Sequence, residues 1–229
     1  MRVLQIDTSL EVAAVLLSED YRLVAVEQHA DPRDHAGWLP LAIQHALGGA
    51  GWTMASIDVI AVHVGPGSYT GIRVGLAMAK GLAFALGKRV VAVHSLKAIA
   101  AGMRNQCRSM ELEAPDYFAP MVDARRMEVY TALYDATLVE HMPAEAMVLT
   151  ESSFQSVLLQ HRICFGGSGA PKWRTIQPHT TSAFSANMVD ADAWVEVAWL
   201  EIAAERFFDA GSIEAFYLKP VHIQEKKQV

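Results

Sequence analysis

The segment Gly65-Pro66-Gly67-Ser68-Tyr69-Thr70-Gly71 separates an apolar run at residues 57–64 from a second apolar stretch that ends before Gly87. The first run is short and continuous, which favours a strand buried on both faces. The second is longer and rich in alanine and glycine, which favours a helix with Gly87 as its stop. A strand, a glycine loop and a helix in this order predict an α/β fold.

The glycine spacing of this loop leaves two interpretations open. It is one residue longer than the dinucleotide-binding fingerprint, and no acidic residue follows about twenty positions later. It is not a phosphate-binding Walker loop either, because no Gly-Lys-Ser/Thr sequence follows. The loop could still form an anion-binding nest at the start of the helix. Alternatively, it is a tight turn that lets the helix pack close to the sheet.

The rest of the first half extends the same pattern. Apolar runs at 3–6, 12–17 and 22–28 predict an antiparallel meander. A helix is expected over 34–47, and Pro40 within it marks either a kink or a later start. A strand at 89–94 and a helix from Ser95 to about residue 105 follow. We therefore expect a mixed sheet with helical crossovers, and we place the first lobe at residues 1–107.

The second half, residues 108–229, is expected to be a smaller lobe. Strands at 117–122 and 127–134 form a hairpin, and a short strand at 163–165 enters Gly166-Gly167-Ser168-Gly169. A helix over 192–208 has Asp190 or Asp192 as its cap and Gly211 as its stop. This helix and the tail can pack back on the first lobe. Residues 217–220 are interpreted as a docked strand or clamp, and residues 224–229 as a frayed end.

Composition excludes several classes of protein. With 52% hydrophobic and 19% charged residues, the 229-residue chain is not disordered, and its net charge of −6 disfavours unaided nucleic-acid binding. Two cysteines make no disulfide framework, which fits a reducing, cytoplasmic setting. The most apolar stretch, 74–87, is too short to span a bilayer, so no membrane contact is expected. Asp7 interrupts the apolar run that a signal peptide needs. No two of the nine histidines have His-x-x-x-His spacing, so no metal site is predicted.

The helix after the glycine loop carries an unusual distribution of side chains. Its polar residues Arg73 and Lys80 are seven positions apart and share one stripe. Gly75, Ala79 and Ala83 recur every four residues, a pattern that lets another backbone approach closely. We predict that this small-residue face forms a subunit interface. The alternative is packing inside the chain.

Five motifs together resemble the bacterial TsaB (YeaZ) family, and they cover nearly the whole chain. The most specific is Gly65-Pro66-Gly67-Ser68-Tyr69-Thr70-Gly71-Ile72-Arg73-Val74-Gly75. The supporting ones are Leu4-Gln5-Ile6-Asp7-Thr8-Ser9, the stretch from Arg33-Asp34-His35 to Leu39-Pro40, Asp123-Ala124-Arg125-Arg126-Met127-Glu128-Val129-Tyr130, and Tyr217-Leu218-Lys219. The resemblance implies an actin-like ATPase (ribonuclease-H-like) fold of two lobes, each with a mixed β-sheet and flanking helices.

The resemblance also implies a function without catalysis. A member of this family is a scaffold subunit that binds and supports TsaD, which threonylcarbamoylates the tRNA adenosine beside the anticodon. TsaD has a His-x-x-x-His metal motif, whereas only His35 stands in the corresponding region here. No catalytic residue, metal or cofactor is therefore expected. TsaE would join through the complex, tRNA would be contacted only indirectly, and the free protein would form a homodimer.

The family's subunit contact uses the first two helices of the first lobe. Carried over to this chain, that contact implies partner-binding residues at Trp38, Leu39, Ile43, Arg73, Gly75, Leu76, Ala79, Lys80 and Ala83.

A nucleotide site is the remaining question. In actin-like and sugar-kinase folds, an Asp at the end of the first strand, followed by Gly-Thr, handles magnesium and phosphate. Asp7 and Thr8 lack that glycine, while Gly166 and Gly167 stand where such folds hold adenosine. These four residues are either half of a surviving nucleotide site or a relic. The alternative function is an ATP-dependent phosphotransferase of the sugar-kinase type, against which the missing glycine counts. A metallopeptidase is a third hypothesis, against which the absent metal motif counts.

Overall fold

A computed structural model describes residues 1–31, 33–109, 114–177, 184–185 and 190–219. The first half contains the strands β1 Arg2–Asp7, β2 Ala13–Glu19, β3 Arg22–His29, β4 Val59–Gly65 and β5 Arg89–His94, the helices α1 His35–Gly49, α2 Tyr69–Leu86 and α3 Ser95–Ser109, and a 3-10 turn at Met54–Ser56. The second half contains the strands β6 Tyr117–Asp123, β7 Glu128–Tyr134, β8 Glu140–Val148, β9 Ile163–Gly166, β10 Phe184–Ser185 and β11 Phe207–Phe208, and the helices α4 Gln155–Leu158, α5 Ala170–Ile176 and α6 Ala191–Ala203.

The two sheets have the same strand arrangement. The first has the order β11-β5-β4-β1-β2-β3 and the second β10-β9-β6-β7-β8. In the first, β1 to β3 form an antiparallel meander, while β4 runs parallel to β1 and β5 parallel to β4. In the second, β6 to β8 repeat the meander, and β9 and β10 repeat the parallel strands. The predicted α/β fold with two mixed sheets is confirmed, and we call the two units the first and second lobes.

Apolar packing places the helices on both sides of the first sheet. One core cluster joins α1 and α2 to one face of this sheet. A second joins α3 and α6 to the other face and continues into the second sheet through Phe118, Ala132 and Cys164. A shared core therefore connects the lobes. Because α6 belongs to the second half of the chain but packs on the first sheet, the division at residues 107 and 108 stays a prediction.

Two elements differ from the predicted ones. The helix expected over 192–208 ends at Ala203, because Glu205 adopts a left-handed φ of 55°. Phe207 and Phe208 instead form β11, which pairs with β5. Strand β8 was not predicted, and Pro143 within it is typical of the edge position that it occupies.

The remaining predictions about strands, helix starts and caps have the following outcomes. The meander and the hairpin after residue 117 are confirmed. Helix α1 runs through Pro40, so the proline does not mark its start. Asp190 caps α6 by accepting the Ala193 N–H at 2.9 Å. The predicted frayed end at 224–229 lies outside the described residues.

Candidate functional site

The glycine loop packs directly on the turn that follows β1. A Cβ atom built on Gly67 would lie 2.2 Å from the carbonyl oxygen of Ser9, and one on Gly71 would lie 1.9 Å from that of Thr8. The Ser68 N–H donates to the Ser9 carbonyl at 2.7 Å, and the Ser68 hydroxyl caps α2 by accepting the Gly71 N–H at 3.2 Å. These glycines therefore serve close packing, the second of the two interpretations of the loop.

Asp7 lies in a buried polar network at the end of β1. Its Oδ1 accepts both the N–H and the hydroxyl of Ser9 at 2.6 Å, and its Oδ2 lies 3.3 Å from Nδ1 of His63. Gln5 donates through Nε2 to Nε2 of His63 at 2.9 Å, so the imidazole proton is on Nδ1 and faces Asp7. Burial lowers the pKa of His63 although the charge of Asp7 opposes the shift. Asp7 is thus enclosed by the protein, with Oδ1 hydrogen-bonded to Ser9 and Oδ2 buried beside His63.

The four residues predicted for a nucleotide site are all packed against neighbouring protein atoms. The Thr8 hydroxyl donates to the Gly71 carbonyl at 2.6 Å. Gly166 ends β9, and Gly167 has a φ of 93° with its missing Cβ only 2.4 Å from the carbonyl oxygen of Met121. None of these four residues lines the cleft between the two lobes.

A cleft of about 580 Å³ nevertheless lies between the lobes, lined by other residues. The first lobe contributes the turn after β1 and the start of α2, and the second contributes the end of β6, Tyr130 of β7 and Ser168 from the loop after β9. Its charged lining side chains are those of Glu11, Asp123, Arg125 and Lys219. The residues from 216 to 219 form one wall.

Asp123 is one of two carboxylates that line this cleft, the other being Glu11. Asp123 accepts the Arg125 N–H at 2.6 Å and the Lys172 ammonium at 2.7 Å. Burial acts to raise the pKa of Asp123, but Lys172 and the Arg125 N–H outweigh it and hold that pKa below its ordinary value. An ionised carboxylate paired with a lysine therefore borders the cleft. The sequence placed Asp123 in a motif but carried no signal that it, rather than Asp7, would face the cleft.

The predicted partner-binding residues divide into inner and outer positions. The inner ones are buried in the first lobe: Leu39, Ile43, Gly75, Leu76, Ala79 and Ala83. A Cβ atom on Gly75 would lie 2.6 Å from the Thr8 hydroxyl oxygen. The prediction that Gly75, Ala79 and Ala83 form a seam open to another subunit is therefore wrong. Their small side chains let α2 approach its own sheet.

The outer positions are accessible from solvent. Trp38 and Lys80 are half-buried, and Arg73 is exposed. Two large side chains that the sequence reasoning missed are far more exposed, Leu41 on α1 at 66% and Phe84 on α2 at 86%. We call the following exposed set the outer face: Leu41, Arg73, Ala77, Gly81 and Phe84.

Helical spacing was the signal available for finding the outer face. Arg73, Ala77 and Gly81 recur every four residues, as Gly75, Ala79 and Ala83 do. Both stripes are rich in small residues, so periodicity alone did not indicate which one faces the sheet.

The described ranges contain neither a metal-binding cluster nor a membrane-spanning helix. Among those residues, no three His, Cys, Asp or Glu side chains cluster in a way that could hold a metal ion. Over the same ranges, no helix is both long and apolar enough to cross a membrane. The buried Sγ atoms of Cys107 and Cys164 lie 3.7 Å apart and are in the reduced thiol form.

Comparison with known proteins assigns the family. The family model described as TsaD, tRNA N6-adenosine threonylcarbamoyltransferase, matches residues 28–155, more than half of the chain. The tRNA threonylcarbamoyladenosine biosynthesis protein TsaB of Bacillus subtilis is 30% identical over 154 residues, which cover 66% of this chain and 64% of that protein. The chain belongs to the TsaB/YeaZ family. The resemblance seen in the sequence motifs is confirmed.

Further relatives agree with this assignment. TsaB of Escherichia coli is 33% identical over 136 residues, covering 58% of this chain and 55% of that protein. The chain therefore matches between about half and two thirds of the length of these curated TsaB proteins. The solved structure of YeaZ from Pseudomonas aeruginosa superposes with a TM-score of 0.76 at 23% identity, covering 95% of this chain and 99% of that one. At that identity the superposition shows a common fold.

Proposed function

We propose that this TsaB/YeaZ protein is a non-catalytic scaffold subunit that binds TsaD and supports threonylcarbamoylation of the tRNA adenosine beside the anticodon. The relatives TsaB are named for the biosynthesis of threonylcarbamoyladenosine in tRNA. TsaE joins through the complex, and tRNA is contacted only indirectly, in keeping with the net charge of −6. The reduced thiols of Cys107 and Cys164 are consistent with a reducing compartment, and we assign the protein to the cytoplasm.

The outer face is the observation that carries this proposal. Leu41 and Phe84 project from two helices that cover the same side of the first sheet. Arg73 and Lys80 are the only charged residues among the 18 of α2. Exposed apolar side chains grouped on one side of a protein are typical of a protein–protein interface, and an aromatic or arginine anchor often dominates its affinity.

The buried state of Asp7 supports the absence of catalysis. A phosphotransferase of the sugar-kinase type would need a carboxylate at the end of β1 that can reach magnesium and phosphate. Asp7 is instead fully buried, with Oδ1 hydrogen-bonded to Ser9 and Oδ2 facing Nδ1 of His63 at 3.3 Å, and Gly67 and Gly71 cover the turn behind it. The alternative phosphotransferase function is therefore less well supported.

The outer face also accounts for the homodimer expected of the free protein. An exposed apolar surface tends to be covered in water, and a two-fold pairing of the same helices would cover it. TsaD and a second copy then compete for one surface, so TsaD should dissociate the homodimer.

Binding to purified cognate TsaD tests the proposal with the variant Leu41→Glu. A charge placed at the centre of an apolar interface should weaken binding by about thirtyfold or more, since anchor residues typically contribute 2 kcal/mol or more. The matched control is Leu159→Glu in the second lobe, because Leu159 is 79% exposed and lies outside α1 and α2. Equal affinity of both variants and the wild type would exclude the outer face as the interface.

A further inference from the structure

The chain segment 213–219 crosses from the first lobe to the second, and we call it the strap. Ile213 is fully buried in the core cluster of α1 and α2. The Phe216 N–H donates to the Val64 carbonyl at 2.8 Å, and its ring meets that of His94 edge-on with centroids 4.9 Å apart. Gly65 has a φ of 112°, and a Cβ atom there would lie 2.9 Å from the Phe216 carbonyl oxygen. The strap thus docks at the end of β4.

Tyr217 connects the strap to the first turns of α2. Its hydroxyl accepts a hydrogen bond from Nε of Arg73 at 3.1 Å, and its ring centroid lies 5.3 Å from that of Tyr69. The Arg73 guanidinium carbon lies 3.8 Å from the centroid of the Tyr69 ring, a cation–π arrangement. Arg73, which belongs to the outer face, is therefore held between two tyrosines.

Lys219 connects the strap to the second lobe. Its ammonium forms an ion pair with Oε2 of Glu128, the first residue of β7. Phe216, Tyr217 and Leu218, the three residues before Lys219, line the cleft. The lobes are thus joined twice, once through the core that contains α3 and α6 and once by the strap along the cleft.

We propose that the strap is an inter-lobe device that holds the cleft at its observed width and positions Arg73 for the outer face. Its anchors beyond Ile213 are one backbone hydrogen bond, the side-chain hydrogen bond from Arg73 to Tyr217, ring contacts and a partly exposed ion pair. Contacts of this kind open at low cost, which suits a segment that governs hinge motion between two lobes. The contacts by which the strap joins the lobes do not depend on a partner protein. The effect of the strap on partner binding, in contrast, rests on the proposed function.

The separation of the lobes provides the first test. Spin labels on Ala30→Cys and Val148→Cys lie just beyond β3 and at the end of β8, at exposed and corresponding places in the two sheets. The native thiols are buried and should not react. In the double variant Tyr217→Ala/Lys219→Ala, the distribution of distances between the two spin labels should broaden and shift to larger values. Exchange of the Phe216 amide should accelerate about tenfold or more, because its opening no longer breaks the tyrosine and lysine contacts.

The matched control is Glu19→Ala, which removes the Arg2–Glu19 ion pair within the first sheet and should leave both readouts unchanged. An unchanged distance distribution in the double variant overturns the proposal, even if the Phe216 amide exchanges faster. If the double variant does not fold, Tyr217→Phe replaces it, since this change removes only the hydroxyl group. Unchanged exchange of the Phe216 amide in Tyr217→Phe would then overturn the proposal.

Affinity for TsaD provides the second test. Releasing Arg73 should weaken binding by about two- to tenfold, because the side chain must then be ordered on association. Unchanged affinity in the double variant refutes the positioning of Arg73. If the wild-type protein does not bind TsaD, the proposed function fails, while the distance measurement still decides whether the strap holds the lobes.

Discussion

Asp7 ends β1 in the first lobe and Asp123 ends β6 in the second, at corresponding places in two sheets of the same order. Each carboxylate accepts, at 2.6 Å, the N–H of the residue two positions later. Asp7 is fully buried beside His63, whereas Asp123 faces the cleft and pairs with Lys172. The same topology therefore produces the same turn, but the neighbouring side chains decide whether the carboxylate is accessible.

The helices that follow the two glycine segments, α2 in the first lobe and α5 in the second, differ in how they pack on their sheets. Helix α2 has 18 residues and packs on its sheet through small side chains, including the buried Ala79 and Ala83. Helix α5 has 7 residues and fills the corresponding space with Trp173, which is fully buried against Phe154 and Phe165. Small residues bring a long helix close to the sheet, whereas one large ring fills the gap under a short helix.

The largest expected effect tests this difference between the packing of α2 and that of α5. Trp173→Ala should lower the free energy of unfolding by about 3–5 kcal/mol, because it leaves a cavity. Ala79→Leu should lower it by about 1–3 kcal/mol, because it overpacks the approach of α2 to the sheet. Denaturant unfolding of both variants measures these changes. The control Ala77→Leu lies on the outer face of the same helix and should stay within about 0.5 kcal/mol. An Ala79→Leu variant as stable as Ala77→Leu would contradict the inner placement of Ala79.

The two aspartates give the next effect. Asp7→Ala leaves the Ser9 N–H and hydroxyl without their acceptor and removes the buried carboxylate beside His63, which should cost about 3 kcal/mol. Asp123→Ala removes a partly exposed ion pair and should cost less than about 1 kcal/mol. Chemical denaturation at neutral pH measures both. Similar losses for the two variants would mean that the two sites are not distinguished by burial.

The smallest effect concerns pH. Burial lowers the pKa of His63 below the ordinary 6.5, so the unfolded chain binds a proton that the folded chain does not. Stability is therefore full above pH 6.5 and falls as the pH drops below it, by up to about 1.4 kcal/mol per pH unit for this one group. His35 and His94, whose pKa burial also lowers, add to the slope.

The variant His63→Gln should reduce that slope below pH 6.5 by about one proton's share. In the second lobe, a carboxyl group makes stability depend on pH over a lower pH range. At Asp135, burial is outweighed by hydrogen bonds from Thr137 and His141, which lower the pKa to about 2. Its stabilising contribution is lost only as the pH falls from 3.8 towards 2. An unchanged slope in His63→Gln would show that His63 is not the buried neutral group.

Much of the local structure followed from the sequence. The meander at the start of the first half and the hairpin at the start of the second follow from short apolar runs separated by turn residues, and the strand, glycine loop and helix around residues 57–86 follow from the change in apolar periodicity. These patterns are readable because they depend on neighbours a few residues away. The TsaB/YeaZ motifs added the two-lobed fold for the same reason, since each motif is contiguous.

Only the tertiary structure decided what depends on distant residues. Gly75, Ala79 and Ala83 share their four-residue spacing with Arg73, Ala77 and Gly81, and the sheet beneath α2 selects which stripe is covered. Asp7 is closed to solvent by His63, which lies 56 positions away in the chain, although the same residue type at position 123 remains open. Periodicity reports that a helix has faces, and residue type reports that a group can ionise. Neither reports what packs against that face or group, because that depends on contacts between segments far apart in sequence.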